Sequence, residues 1–144
     1  MSDYDEQSSR IKSVFNLAEI PEVTEANLEN YFGWLKRKLT FPLILTGVES
    51  MGYFSWEERY EFGYGNKKDY ERLKKERGSY KESYELKTLD KVKIEQDWDI
   101  LVPVVRISDK RRFTIPLSKL QAADENSENY QLLNDYTVWY VNWR

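Results

Sequence analysis

The sequence predicts a single-domain α+β protein, with two or three helices added to a small, strongly bent antiparallel sheet or barrel. One segment carries apolar residues at the three- and four-residue spacing of a helix. Several short segments are rich in β-branched and aromatic residues and are bounded by turn residues. The 144 residues, 40% of them hydrophobic, suffice for one core. No repeat or linker divides the chain, so residues 1–144 are expected to form one domain.

The N-terminal part predicts a polar lead and then an amphipathic helix. Residues 1–10 are polar and are expected to be flexible, and residues 11–17 could form a short helix or docking segment. Thr24 is a favoured N-cap residue, and three bases at the other end suit the last turn. These signals predict a helix over residues 24–39. Its apolar stripe consists of Leu28, Tyr31, Phe32, Leu35 and Leu39.

The middle of the chain predicts two strands and one exposed helix. Residues 41–49 are short, branched and apolar, which is typical of a buried strand. Residues 56–62 alternate aromatic and charged side chains, which favours a second strand. Residues 66–76 are charged almost throughout and predict an exposed helix that stops at Gly78. Residues 79–89 read as a tyrosine-rich connection without a clear period.

The later part predicts further strands. Residues 92–95 begin this second set of strands. Residues 100–107 and 112–117 flank a polar, turn-like link and predict a hairpin. Pro103 and Pro116 cannot donate to a ladder, so each is expected at an edge, a bulge or a strand end.

The C-terminal residues predict a short helical piece followed by a strand. Residues 127–134 are compatible with one or two helical turns. Residues 137–143 are β-branched or aromatic almost throughout, and such residues are enriched in strands. We therefore expect a closing strand there.

The composition excludes several kinds of catalysis. Cysteine and histidine are absent, which removes disulfides, thiolate or imidazole metal sites, and every Ser-His-Asp or Cys-His mechanism. The phosphate-binding and nucleophile motifs are also missing. A carboxylate-dependent hydrolase remains as an alternative and would need a cleft between two acids. The leading expectation is a protein without enzymatic activity.

Three acids between residues 95 and 99 predict a cation site. If this stretch is extended, Glu95, Asp97 and Asp99 point to one face, because side chains alternate along a strand. Their mutual repulsion would be relieved by a divalent cation, and calcium prefers carboxylate oxygens. The alternative is a polar loop with Trp98 turned inward and the acids in water.

A further acidic group lies earlier in the chain. Glu57, Glu58 and Glu61 stand among basic and aromatic residues. The group is interpreted as the solvated face of a strand.

Tyrosines and bases in the middle of the chain suggest a protein partner. Tyr70, Tyr80 and their neighbours could form a contact surface, since tyrosine is enriched at interfaces. The bases in residues 67–77 fit either a salt-bridged helix face or a docking helix. A formal net charge of −3 argues against nucleic-acid binding.

The chain shows no feature of a membrane protein. No stretch approaches the roughly 20 apolar residues needed to cross a bilayer. The first residues are acidic and polar, unlike a signal peptide. A cytoplasmic location is expected.

Two short motifs carry a family resemblance, residues 31–43 (YFGWLKRKLTFPL) and residues 112–120 (RFTIPLSKL). The first resembles the helix-to-strand entry, and the second the late strand, of the cyanobacterial-type calcium-binding protein family. Residues 129–139 are similar to a subset of longer bacterial relatives. The resemblance implies a small SH3-like β-barrel with an N-terminal helix, in a cytoplasmic protein that binds calcium through surface acidity.

The chain departs from that family pattern in two respects. Residues 52–89 replace a short connection and are interpreted as a helical insertion. The family's founding type is strongly acidic, whereas here 25 acids stand against 22 bases. The resemblance assigns no metal ligands, so Glu95, Asp97 and Asp99 rest on spacing alone. The alternative function is a phage- or toxin-related accessory module that uses the tyrosine-rich insertion and no metal.

Overall fold

The computed structural model describes residues 3–48, 52–57, 63, 65–90, 92–95 and 99–144. Four helices lie among these residues: α1 (Asp3–Phe15), α2 (Glu25–Lys38), α3 (Lys67–Glu76) and α4 (Glu128–Asn142). Six strands accompany them: β1 (Leu43–Gly47), β2 (Ser83–Leu86), β3 (Lys93–Glu95), β4 (Asp99–Arg106), β5 (Arg112–Pro116) and β6 (Leu120–Ala122). Two 3-10 turns span Gly52–Glu57 and Leu117–Lys119. The α+β class is confirmed.

The strands form one antiparallel sheet built around β4. Strand β1 pairs with β2 and β6, β2 also pairs with β4, and β5 pairs along the opposite edge of β4. Strands β3 and β2 lie along the same edge of β4. Strand β3 pairs with residues 99–101 of β4, and β2 pairs with residues 105 and 106. Pro103 lies between these two paired stretches, where its missing N–H removes no ladder bond. Pro116 ends β5, so both prolines lie where the sequence places them.

Helices α1, α2 and α4 form a layer against this curled sheet. Helices α2 and α4 contact strands, and α1 packs on both helices. An aromatic cluster joins the three, with the rings of Tyr31 and Trp139 centred 5.0 Å apart. The sheet contributes buried aliphatic side chains to the same core, among them Leu45, Val102 and Ile115.

Two predicted helices are confirmed, and each begins at an N-cap residue. Thr24 accepts a hydrogen bond from the Asn27 amide at 3.1 Å and starts α2. Asn66 accepts one from the Lys68 amide at 2.7 Å and starts α3. The predicted β4–β5 hairpin is present as well. The closure of the sheet into an SH3-like barrel stays a prediction.

Both ends of the chain differ from their predictions. The polar lead is helical from Asp3, and Arg10 within it pairs with Asp135. The predicted closing strand is wrong, because α4 runs to Asn142 without a break. Packing outweighs β propensity here, since apolar residues recur at helical spacing and bury one face. That face consists of Leu133, Tyr136, Trp139 and Tyr140.

Residues 52–89, which were interpreted as an insertion, contribute a strand to the centre of the sheet. Trp56 and Glu57 lie in a 3-10 turn, not in a strand, and residues 58–62 fall outside the described residues. Strand β2, which the sequence reading missed, lies between β1 and β4. The segment also packs closely on β1: a side chain at Gly47 would collide with the backbone of Tyr80. Residues 52–89 are therefore built into the fold.

No helix among the described residues is both long and apolar enough to cross a bilayer.

Candidate functional site

The three predicted metal ligands fall on the hairpin that joins β3 to β4. Glu95 pairs with Asp99 across the ladder, so the chain reverses direction between them. The single extended strand assumed by the alternation argument is therefore absent. Asp97 and the side chain of Glu95 lie outside the described residues.

Asp99 lies at the base of this hairpin and points into the protein. Its φ of 81° places it in the left-handed region, where aspartate is better tolerated than most residues. The residue is only 1% exposed. Its Oδ1 accepts hydrogen bonds from the Ile100 amide at 2.6 Å and from the Tyr136 hydroxyl, and its Oδ2 accepts one from the Ser118 amide at 2.7 Å. One carboxylate thus joins the hairpin, the second 3-10 turn and α4.

Burial governs the electrostatics of this contact. Desolvation raises the pKa of Asp99, and the hydrogen bonds from Ser118, Tyr136 and Ile100 oppose that rise. Burial, followed by the nearby charge of Asp99, raises the pKa of Tyr136 well above its usual value. The tyrosine therefore remains a hydroxyl donor toward the carboxylate over the whole neutral range.

The geometry limits how calcium could bind here. Calcium needs six to eight oxygen ligands, and both Asp99 oxygens already accept hydrogen bonds. In the part of the chain that the structure describes, no group of three or more acids is placed to hold a metal ion. The carboxylates of Glu95 and Asp97 are suitable oxygen ligands for calcium. Asp99 would have to give up its internal hydrogen bonds to bind the ion. The three-residue site stays a prediction.

Glu57 is a second buried carboxylate, and the sequence reading placed it in solvent. It is 0% exposed. Its Oε2 accepts hydrogen bonds from the Tyr70 hydroxyl and the Ser79 hydroxyl, both at 2.9 Å, and its Oε1 accepts one from the Tyr80 amide at 2.8 Å. Glu58 and Glu61 lie outside the described residues. No local pattern marks Glu57, because its partners lie 13 to 23 residues away.

These bonds give the two predicted partner-binding tyrosines an internal role. Tyr70 is half-buried, and its ring lies 5.8 Å from that of Trp56. Tyr80 is half-buried too, and its amide holds Glu57. A protein partner at Tyr70 and Tyr80 stays a prediction, and substitution of Tyr70 would disturb the fold as well as the surface.

Arg106 is a buried cation that the sequence reading did not single out. It is 2% exposed and donates to the carbonyl oxygens of Lys74 at 2.7 Å, Lys75 at 2.6 Å and Arg77 at 3.1 Å. It also pairs with Asp109 at 2.6 Å. These carbonyls end α3, so Arg106 fixes that helix end against the turn between β4 and β5.

The comparisons with known proteins identify the family. A CcbP family model, described as calcium binding, matches residues 56–140, which is more than half of the chain. The chain belongs to the CcbP calcium-binding family. A comparison with curated protein sequences finds no match. The matched region contains the β3–β4 hairpin and all three partners of Asp99, and most of the supposed insertion.

Two solved structures resemble this chain over nearly its full length. The crystal structure of Anabaena CcbP is 14% identical, with a TM-score of 0.54, and the match covers 96% of this chain and 92% of that chain. A calcium binding protein in the calcium-binding form is 17% identical, with a TM-score of 0.49 and coverage of 98% and 96%. At this identity, the likeness to Anabaena CcbP shows a shared fold.

Proposed function

We propose that this chain is a non-enzymatic, cytoplasmic calcium-binding protein whose site is formed by residues 95–99, where β3 is joined to β4. The observation that carries the proposal is the family match over residues 56–140, which includes this hairpin. The hairpin also holds the one group of acids that the sequence singles out for a cation, Glu95, Asp97 and Asp99.

The three acids have different roles in this proposal. Glu95 and Asp97 supply carboxylate oxygens to the ion, and backbone carbonyls and water complete its coordination. Asp99 supports them from inside, because its bonds to Ser118 and Tyr136 fix the base of the hairpin. Only two carboxylates bind the ion, and the chain has a net charge of only −3. We therefore expect weak binding, with a dissociation constant toward the millimolar end of the range for calcium sites.

We also propose that the sheet is an SH3-like barrel. Three features support this: β1 pairs with both β2 and β6, β4 and β5 form a hairpin, and a 3-10 turn separates β5 from β6. In such a barrel the β3–β4 hairpin lies in a connection between barrel strands, where binding residues are commonly found.

Calcium titration of the purified protein tests the proposal. Calorimetry and amide NMR at near-physiological salt are expected to give saturable binding, weaker with Mg²⁺, and shifts centred on residues 95–99. The variant E95Q/D97N is expected to lose this binding. The matched control is D69N/E71Q, which neutralises an exposed Asp and an exposed Glu of α3 at the same sequence spacing.

Two results would contradict the proposal. One is flat heats and unmoved spectra up to millimolar Ca²⁺. The other is equal loss of binding in both double variants, which would mean that calcium responds to the overall charge and not to the hairpin.

A further inference from the structure

The charges of this protein are unevenly distributed. Residues 66–82 and 106–112 carry 11 of the 22 bases and five of the 25 acids, a net charge of +6, against −9 for the rest. These two segments contain α3 and the turn between β4 and β5. A protein that is acidic overall therefore has one strongly basic region.

The structure brings the two segments together. The guanidinium of Arg111 donates to the Lys75 carbonyl at 2.5 Å, and Arg106 holds the same end of α3 from beneath. The exposed or half-exposed cations that meet here are called the basic patch. Its members are Lys74, Lys75, Arg77, Lys110, Arg111 and Arg112.

The nearest acid on the turn does little to neutralise this patch. Asp109 pairs with the buried Arg106 at 2.6 Å, and this contact lowers the pKa of Asp109 to about 2. One buried cation and one carboxylate thus cancel each other, and the exposed cations remain. The carbonyls at the end of α3 favour nearby cations, which stabilises the patch without reversing its sign.

A groove adjoins the patch on the outer face of the sheet. Its volume is about 270 Å³, and it is lined by Lys87, Pro103, Val105 and Arg112, with Glu85 and Thr88 beside them. It lies where neither β2 nor β3 pairs with the middle of β4, at Pro103, on the edge of β4 opposite to β5. Arg112 belongs to both the groove and the basic patch, so the two surfaces are continuous.

We propose that the basic patch and this groove together dock an acidic segment of a partner protein that carries an aliphatic side chain. The cations attract the acidic residues, and the aliphatic residue packs between Pro103 and Val105. The groove does not favour nucleic acid, because its lining among the described residues includes no aromatic ring for base stacking.

Fluorescence anisotropy with a labelled peptide made of Glu-Glu-Leu-Glu repeats tests this docking site. We expect saturable binding that weakens as salt rises, since the charges are exposed. The variant K75Q/K110Q/R112Q is expected to bind about tenfold more weakly, equivalent to about 1.4 kcal/mol. The control K12Q/R37Q/K38Q removes the same charge from the helical layer and is expected to bind as the wild type does.

Two further measurements make the test independent of the variants' folding. NMR shifts of the wild-type protein are expected to map to residues 74–77, 87 and 103–112. A peptide with Ser in place of Leu is expected to bind more weakly, and a Lys-for-Glu peptide is expected not to bind.

Several results would overturn the proposal. These are no binding of the acidic peptide, equal weakening in both triple variants, or shifts confined to other surfaces. Equal affinity of the Ser peptide would remove the groove from the docking site. Tighter binding of an oligothymidine at the patch would assign the surface to nucleic acid instead.

Discussion

Two buried carboxylates join α4 to different neighbours, and they are held in different ways. Asp135 faces α1, where Arg10 donates from Nε at 2.8 Å and from Nη2 at 3.1 Å, and Gln7 adds a bond at 3.0 Å. Asp99 lies on the sheet side and accepts bonds from Tyr136 and from two backbone amides. The first carboxylate has a cationic partner, and all three donors to the second are neutral.

The difference indicates which contact is tied to the candidate site. The Asp135 ion pair joins two helices, and its charges offset each other. Asp99 instead satisfies amides in the hairpin and in the 3-10 turn, so its loss would leave those donors without their acceptor. We infer that α4 is fastened to the helical layer by Asp135 and to the hairpin by Asp99.

The largest effect is expected from Asp99→Ala. Three buried donors lose their acceptor, and alanine must adopt a positive φ. We expect the free energy of unfolding to fall by about 3–5 kcal/mol, measured by urea denaturation without calcium. The control Asp124→Ala removes an exposed carboxylate and should cost less than about 1 kcal/mol. A similar loss in both variants would show that Asp99 is not an anchor.

Breaking the ion pair is expected to have the next largest effect. Arg10→Ala leaves the buried carboxylate of Asp135 with Gln7 alone, and we expect a loss of about 2–3 kcal/mol. The double variant R10A/D135N also removes the carboxylate charge and should recover part of that loss. Thermal unfolding of the two variants checks this. Equal stability of the single and double variants would contradict the ion-pair account.

A smaller effect is expected from Tyr136→Phe. The ring stays in the core, and only the hydroxyl bond to Asp99 is lost, so the cost should be about 1–2 kcal/mol. A double-mutant cycle with Asp99→Ala isolates the coupling between the two side chains. Strict additivity in the cycle would mean that this bond does not contribute to stability.

The pH dependence should be the smallest effect, and its sign is specific. Because burial raises the pKa of Asp99, the folded state binds its proton more tightly than the unfolded state does. This contribution to stability is therefore fully present below the ordinary value of 3.8 and is lost as pH rises through the folded-state pKa. With a chelator present, the stability of the wild type relative to Asp99→Asn should fall as pH rises from 4. A rise over that range would contradict the assigned pKa direction.

The elements that were predicted correctly are those that a local sequence pattern marks. Helix α2 and the β4–β5 hairpin have an N-cap, a regular period or a turn signal of their own. Strand β2 has only four residues, too few for its alternation to stand out. The end of α4 carries strand-like residues, and it is helical because packing buries Trp139 and Tyr140.

The candidate site was predictable only in its location on the chain. The alternating acids indicated residues 95–99 as a candidate site, and the structure forms a hairpin between β3 and β4 there. The inward turn of Asp99 depends on Ser118 and Tyr136, which lie 19 and 37 residues further along the chain. Glu57 is similar, since its donors Tyr70 and Ser79 lie 13 and 22 residues further along the chain. Such contacts follow from tertiary packing and leave no trace in local spacing.

The division of roles among the three acids is tested most directly by carbon NMR of the side-chain carboxyl groups during calcium titration. The account predicts saturable movement of the Glu95 and Asp97 carboxyl signals, while the Asp99 signal stays near its starting position. Movement of the Asp99 signal together with the Tyr136 signals, at the same calcium concentration, would show that Asp99 leaves its internal partners to bind the ion. That result would contradict its role as the internal anchor of the site.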